Sequence, residues 1–490
     1  MSITFNNVPN NAAASAVYVE QEAVSRGTGS PVIPHKIFTL GQYNAGFSPT
    51  VNTAQLILNK EDAWTRYGRG SQLARMIELQ LKSSGGVPVY AVPLEDDDGA
   101  VTATGTIVML GTATAAGTLA VYIEGKKVSV AVVSGDTPTL IGDAIAAAIT
   151  ADLDLPVTAV NAAGTITFTA RWGGESGNQI DLSVNLSDSD ELPAGVTSAT
   201  VVNIGSVATG ATDPVLTAAF ANMGDTWYTE VCCPYNSAAS LAAMESAGVV
   251  RDDPSVKRQF AGFTGYTGTI ADFITELESR NSEWTTYIPV PGSPTSAYML
   301  AAGGTADFAA DQQANPGRPQ KNTILSGAIA GNEDMRLNND TIVRAGGSWT
   351  KNNEDGTVTI GDLCTTRTTT TAGAATEDWR FTVIIPNIQF KIYALEQVFL
   401  SSPYDRAVVL ADGSGKGPTY AVRPSTVKAR AIGLVDDWVV RGLSTKRDQI
   451  VDGITSAIDS GNPGRINLLI PDVASAGLRI VAVKLEWAFV

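Results

Sequence analysis

The residues able to do chemistry in this chain are few, and their spacing defeats each reaction they suggest. His35 is the only histidine in 490 residues. A Ser–His–Asp or Cys–His centre would have to be built on it. It lies between Pro34 and Lys36 at the start of a strand-like run, and no nucleophile elbow accompanies it. We read it as a structural or surface residue. A zinc site needs about four His, Cys or acidic ligands at close spacing, and no such cluster occurs. The stretch Gly413-Ser414-Gly415-Lys416-Gly417-Pro418 has the look of a phosphate loop, but Lys416 is followed by glycine instead of Ser/Thr and Leu410 takes the place of the first glycine. It reads as a hairpin tip. The acidic run Glu95-Asp96-Asp97-Asp98 lacks the fixed spacing of paired catalytic carboxylates and reads as a solvated loop. Adjacent Cys232 and Cys233 sit in a strand-like run and Cys364 stands alone, as expected of reduced core thiols. The expectation is a protein that is not an enzyme and uses no cofactor and no metal.

Composition is globular, with 44% hydrophobic and 17% charged residues. The net charge of −16 argues against a nucleic-acid partner, because phosphate binding needs dense Lys/Arg. No run approaches the roughly 18 to 20 apolar residues of a membrane span, and no basic-then-apolar leader opens the chain. No membrane insertion is expected. One segment runs against the acidic background. Residues 413–447 hold seven cations (Lys416, Arg423, Lys428, Arg430, Arg441, Lys446, Arg447) against Asp436 and Asp437. Such a stretch is either a solvated helix face or a docking surface for an acidic partner.

The elements that would position these groups divide the chain. A strand over 33–40, a helix capped by Ser71 with Leu73, Met76, Ile77 and Gln80 at helical spacing, a stop at Gly85-Gly86 and a second strand over 87–94 make a parallel α/β unit. From 103 to 205 the chain turns Thr/Val/Ala/Gly-rich, with repeated strand patterns and one Ala-rich helix. Three basic residues there face ten acidic ones. This is expected to be an inserted, outward-facing β-rich domain. The α/β pattern resumes after 205, with strands near 227–234, 259–263 and 284–290. Beyond 345 strands and turns precede a long helix over 426–443, striped by Val427, Ala431, Leu434, Val435, Trp438 and Val439. The fold class is therefore α/β (α+β overall) and multi-domain. The expected layout is an extended arm over 1–30, an α/β core of 31–102 plus 206–345, the insertion 103–205, a C-terminal domain 346–476 and a strand arm 477–490.

The two ends carry the strongest pattern. Val481, Val483, Leu485, Trp487 and Phe489 share one face of a strand, with Lys484 and Glu486 on the other. Near the start, Ile3 and Phe5, then Val17 and Val19, are apolar patches separated by Asn, Pro and Ala, as in an extended arm. Each end is either an edge strand of its own domain or a strand donated to another copy. We take the second reading for both. Gly27, Gly29 and Pro31 after the first arm and Gly477 before the second are expected to act as hinges.

The order of several motifs resembles the contractile tail sheath proteins of bacteriophages, in particular the Mu-like branch. They are Phe5-Asn6-Asn7-Val8-Pro9, the segment from Tyr67 to Met76, Val87 to Leu94, Thr226 to Pro234, Phe260 to Thr269, Asn315-Pro316-Gly317-Arg318-Pro319, Val422-Arg423-Pro424 and the final strand. The resemblance implies a structural subunit that stacks as hexameric rings into a helical homo-oligomer around an inner tail tube. It implies arms that extend neighbouring subunits' C-terminal domains, and contraction that drives the tube through the host envelope for genome delivery. The implied partners are further copies of itself, the tail tube protein, and baseplate and tail terminator proteins. The implied location is the virion, with assembly in the host cytoplasm. In that setting Lys428, Arg430, Lys446 and Arg447 would face the tube. A sheath of a phage-derived, pyocin-like injection device is the nearest alternative. A subtilisin-like hydrolase and a monomeric surface-binding module are more distant ones.

Overall fold

The computed structural model describes residues 33–196 and 198–487. These fall into two compact units. The larger comprises Ile33–Ile392, Gly442–Lys446 and the chain from Asp472; the smaller comprises Tyr393–Arg441 and Arg447–Pro471. The first arm, with Ile3, Phe5, Val17 and Val19, lies outside the described residues, as does Phe489.

The larger unit opens with β1 (Ile37–Gln42), β2 (Gln55–Ile57) and β3 (Val89–Leu94). β1 and β3 run parallel, from Ile37 opposite Val89 to Gln42 opposite Leu94. The helix Gln72–Ser83 connects them. Ser71 Oγ accepts from the Ala74 amide at 3.2 Å, Leu73, Met76, Ile77 and Gln80 are buried, and Gly85 and Gly86 take positive φ just past the end. Every residue of β1 is buried, as a parallel strand covered on both faces requires.

The chain then leaves for the insertion: β4 (Thr102–Leu110), β5 (Gly117–Ile123), β6 (Lys126–Val132), the helix Pro138–Ala151, β7 (Val157–Ala162), β8 (Thr165–Gly173), β9 (Leu182–Val184) and β10 (Ser198–Val202). These form two antiparallel sheets of their own, ordered β10-β4-β8-β7 and β6-β5-β9. The insertion is less independent than its composition suggests. Ile107, Phe168 and Trp172 belong to one apolar cluster with Met76, Tyr298 and Ala301 of the framework. The Glu124 carboxylate pairs with Arg75 and accepts from Tyr298 Oη at 2.6 Å. After the insertion β11 (Glu230–Cys232), β12 (Ala261–Tyr266) and β13 (Thr286–Pro289) complete a six-stranded sheet, β13-β12-β11-β1-β3-β2, parallel except for β2.

The boundary expected at 346 falls instead at Tyr393. β14 (Thr323–Ile324), β15 (Trp349–Asn352) and β16 (Val358–Asp362) form a small sheet ordered β14-β16-β15. Val358, Ile360 and Leu363 pack in one cluster with Ala261, Phe263 and Ile288. Their apolar face is covered by the α/β core, so residues 346–392 belong to it.

In the smaller unit β17 (Val408–Val409) pairs with β18 (Ala421–Val422). The helix Pro424–Val440 buries Val427, Ala431, Leu434, Val435 and Trp438 of the expected stripe, and leaves Val439 half-buried. After the helix Arg447–Gly453 comes a hairpin of β19 (Thr455–Ile458) and β20 (Ile466–Leu469).

Candidate assembly interface

The groups considered for catalysis are buried or bonded within the fold. His35 is buried, with Nδ1 2.7 Å from Glu230 Oε1, while Thr229 Oγ1 donates to Glu230 Oε2 at 2.6 Å. Cys232, Cys233 and Cys364 are buried free thiols, and burial pushes Cys233 and Cys364 up to about 12. Such thiols carry almost no thiolate near neutrality. In the loop after Gly413, the Ser414 and Gly415 carbonyls accept from Arg423 Nη2 at 3.0 and 2.8 Å. A phosphate cradle aims N–H groups at its ligand; here the named loop contacts are made by carbonyl oxygens to an arginine. Among the described residues no group of His, Cys, Asp or Glu is arranged to hold a metal, and no helix is long and apolar enough to cross a membrane.

The most unusual surface is the end of the chain. Ile480, Val481, Val483, Leu485 and Trp487 are 70–85% exposed, and among the described residues no strand pairing is made from 478 to 487. Val481, Val483, Leu485 and Trp487 keep the period-2 spacing of a strand face. Side chains of this size cost roughly 1.5–3 kcal/mol each to leave in water instead of burying. Just before this tail the chain is held firmly. Asp472 Oδ2 accepts from Lys391 Nζ at 2.6 Å and its Oδ1 from Ser444 Oγ at 2.6 Å. The Lys391 ammonium also reaches the Leu443 carbonyl at 3.1 Å, and burial lowers its pKa. Thr445 donates its amide to the Val473 carbonyl at 2.8 Å, and Ser475 donates to the Leu443 carbonyl at 3.1 Å. Gly477 was expected to be a hinge. Instead a Cβ there would sit 2.0 Å from Pro319 Cγ, so its role is close approach to a proline ring.

A second incomplete element lies in the smaller unit. The β19–β20 hairpin is a two-stranded sheet, so both its outer edges are unpaired among the described residues. Its register sets Ile458 opposite Ile466 and Ser456 opposite Leu468. Ile466 and Leu468 line a hollow of about 360 Å³ with Phe399, Tyr404, Val422 and Val427. Ser456 Oγ donates to the Pro424 carbonyl at 2.7 Å, fastening β19 to the start of the long helix. A lone hairpin is marginal in water, and open edges invite a further strand.

The cations do not form one patch. Lys428 and Arg430 are two residues apart on a helix, hence roughly 200° apart around its axis. Arg447 pairs with Asp436 at 2.6 Å and Asp448 at 3.0 Å, and Arg441 with Asp437 at 3.0 Å. Lys446 is exposed, has a positive φ of 52° and belongs to the larger unit.

No known family profile matches the chain. It is 28% identical, over 99% of its own length and the whole of the other chain, to the Mu-like prophage FluMu tail sheath protein of Haemophilus influenzae. Its fold is similar to that of the sheath tail protein from Desulfitobacterium hafniense, with a TM-score of 0.50 and 10% identity over 94% of this chain and 97% of that one. The first likeness makes the two chains relatives along their full length; the second adds a shared fold.

Proposed function

We propose that this chain, a relative of the Mu-like tail sheath proteins, is the sheath subunit of a contractile phage tail. The observation that carries the reading is the pairing of two incomplete elements: an exposed, strand-patterned tail and a hairpin whose two edges are open among the described residues. In an array of identical copies the tail of one subunit adds to the hairpin of another. Donor and acceptor are different patches, so the contact is heterologous and propagates as a helix or closes as a ring. Main-chain hydrogen bonds hold the added strand, and Val481, Val483, Leu485 and Trp487 leave water on one side of it. The first arm, with Ile3, Phe5, Val17 and Val19, plays the same part at the other edge.

Copies stack as hexameric rings around the tail tube, bounded by baseplate and terminator proteins, in a virion assembled in the host cytoplasm. Contraction releases energy stored in the interfaces of a kinetically trapped array, with compact bodies moving while the donated strands keep them linked. Of the four cations expected to face the tube, Lys428 and Arg430 lie nearly opposite each other on their helix, so one of that pair meets the tube in this reading; Arg447, engaged by two carboxylates, is a weaker contributor. Reversing Lys428 and Arg430 to Glu should leave sheath polymers intact and weaken their capture of tube protein. Equal capture by the two forms would reject the tube-facing assignment.

Negative-stain microscopy of the purified chain, with and without residues 480–490, tests the main reading. Tubes or ring stacks are expected from the full chain and single particles from the truncated one. Polymers of equal length from both would overturn it.

A further inference from the structure

We propose that Arg479 and the segment Asn315–Lys321 form a seat that fixes where the tail leaves the body, and that this seat sets how tightly one copy grips the next. The inference rests on the sheath reading and adds residues outside the donated strand itself. Three contacts define the seat. The Arg479 guanidinium pairs with Asp362 and stacks over the Phe381 ring, 3.0 Å from its centroid. Lys321 Nζ donates to the Arg479 carbonyl at 2.5 Å. Gly477 passes so close to Pro319 that no side chain fits between them. The proline is held in turn: Gln312 Nε2 donates to the Arg318 carbonyl at 3.0 Å and its Oε1 accepts from the Gly317 amide at 2.9 Å.

The change from covered to exposed is abrupt. The Arg479 and Asp362 side chains are about four-fifths covered, at 20% and 19% exposure, whereas Ile480 is 85% exposed. A seat at that point matters because of tether length. With Arg479 held, one residue separates the last anchor from the apolar face that begins at Val481. Without both the guanidinium contacts and the Lys321 bond to the 479 carbonyl, the last anchor retreats to Ser475, whose amide is bonded to Leu443, and the tether grows to five residues. Effective concentration falls roughly as the −3/2 power of tether length, so the loss is about tenfold. The donated strand is thus aimed as well as apolar. From its seat the stretch 480–487, eight residues, can reach roughly 27 Å when fully extended.

The test compares the full chain with Arg479→Ala, Arg479→Lys and a form lacking 480–490. Two quantities are read: hydrogen exchange of the 476–480 amides in dilute monomer, and the critical concentration for pelletable polymer. Arg479→Ala should speed exchange across 476–480 and raise the critical concentration, and Arg479→Ala combined with Lys321→Met, which removes the remaining carbonyl contact, should raise it about tenfold. Arg479→Lys, which keeps charge but loses the planar stack, should fall between the natural chain and Arg479→Ala. If Arg479→Ala speeds exchange but assembles like the natural chain, while the truncated form does not assemble, the seat is refuted and the sheath reading survives. If the truncated form assembles normally, both fall. Should Arg479→Ala fail to fold, Lys321→Met removes only the carbonyl contact and is read the same way; unchanged exchange and assembly in that variant would also refute the seat.

Discussion

Substituting Leu485 with serine isolates the apolar face of the tail. Leu485 is 81% exposed in the single chain. Complete burial of a leucine is worth about 1.5–3 kcal/mol, so docking four-fifths of it contributes about 2 kcal/mol to each copy-to-copy contact. Serine forfeits that contribution and brings a hydroxyl into the same space. At 1.4 kcal/mol per tenfold, the critical concentration should rise roughly 30-fold. Lys484→Ser provides the internal control, since residue 484 points to the opposite face of an extended strand. Its effect should stay within about threefold. The assay is sedimentation of polymer across a dilution series, with a urea unfolding curve to show that the body is unchanged. Because neither side chain is buried in the monomer, neither substitution should move that curve. Equal effects of Leu485→Ser and Lys484→Ser would refute a face-specific docking strand.

Other outcomes follow from the body of the protein. Lys391→Met removes a covered ammonium from Asp472 and from the Leu443 carbonyl and should lower stability by about 2 kcal/mol in urea. Arg344→Met, breaking a solvent-screened pair with Asp340, should leave the urea curve essentially where it is, and a similar loss from both would contradict this ranking. Burial raises the Asp307 carboxyl from 3.8 to about 6. The folded state therefore holds that proton more tightly than the unfolded one, so the contribution is complete below about 3.8 and is lost as pH rises through about 6. Asp307→Asn can keep both bonds to Ser326 and should gain about 1–3 kcal/mol on the natural chain between pH 4 and pH 8; a constant difference across that range would contradict it. Thiol titration should find Cys232, Cys233 and Cys364 unreactive until the protein is unfolded, and rapid reaction of any one would place it at the surface.

The parallel unit around Ser71 was legible because cap, stripe and double-glycine stop are local signals that agree. The helix Ala297–Ala314 was not, because it is buried on almost every side and shows no stripe. Its Gly303-Gly304 pair looks like a breaker but serves close packing: a Cβ on Gly303 would meet the Ser326 carbonyl oxygen at 2.1 Å, and one on Gly304 the Ile288 side chain at 2.7 Å. The helix Ile384–Phe399 was hidden for another reason. Pro386 falls in its first turn, where a missing N–H costs nothing, yet in sequence it interrupts an apolar run. The basic stretch 413–447 was visible as composition, but the pairing of Arg447 with Asp436 across eleven residues was not. At the interface, the alternation from Val481 to Trp487 could be read directly, since it needs no knowledge of what it pairs with. The seat beneath it could not, because Lys321 and Arg479 lie 158 residues apart and meet only through the fold.

The central claim is that the tail of one copy completes the β19–β20 hairpin of another. Assembling an equal mixture of ¹⁵N-labelled and unlabelled chain, cross-linking amines to carboxylates and reading the isotope pattern of Lys484 adducts by mass spectrometry tests it most directly. Adducts joining Lys484 to the hairpin, at Asp459, should include labelled–unlabelled pairs at half of the total. Adducts that pair only like with like would place the tail on its own chain and contradict the account.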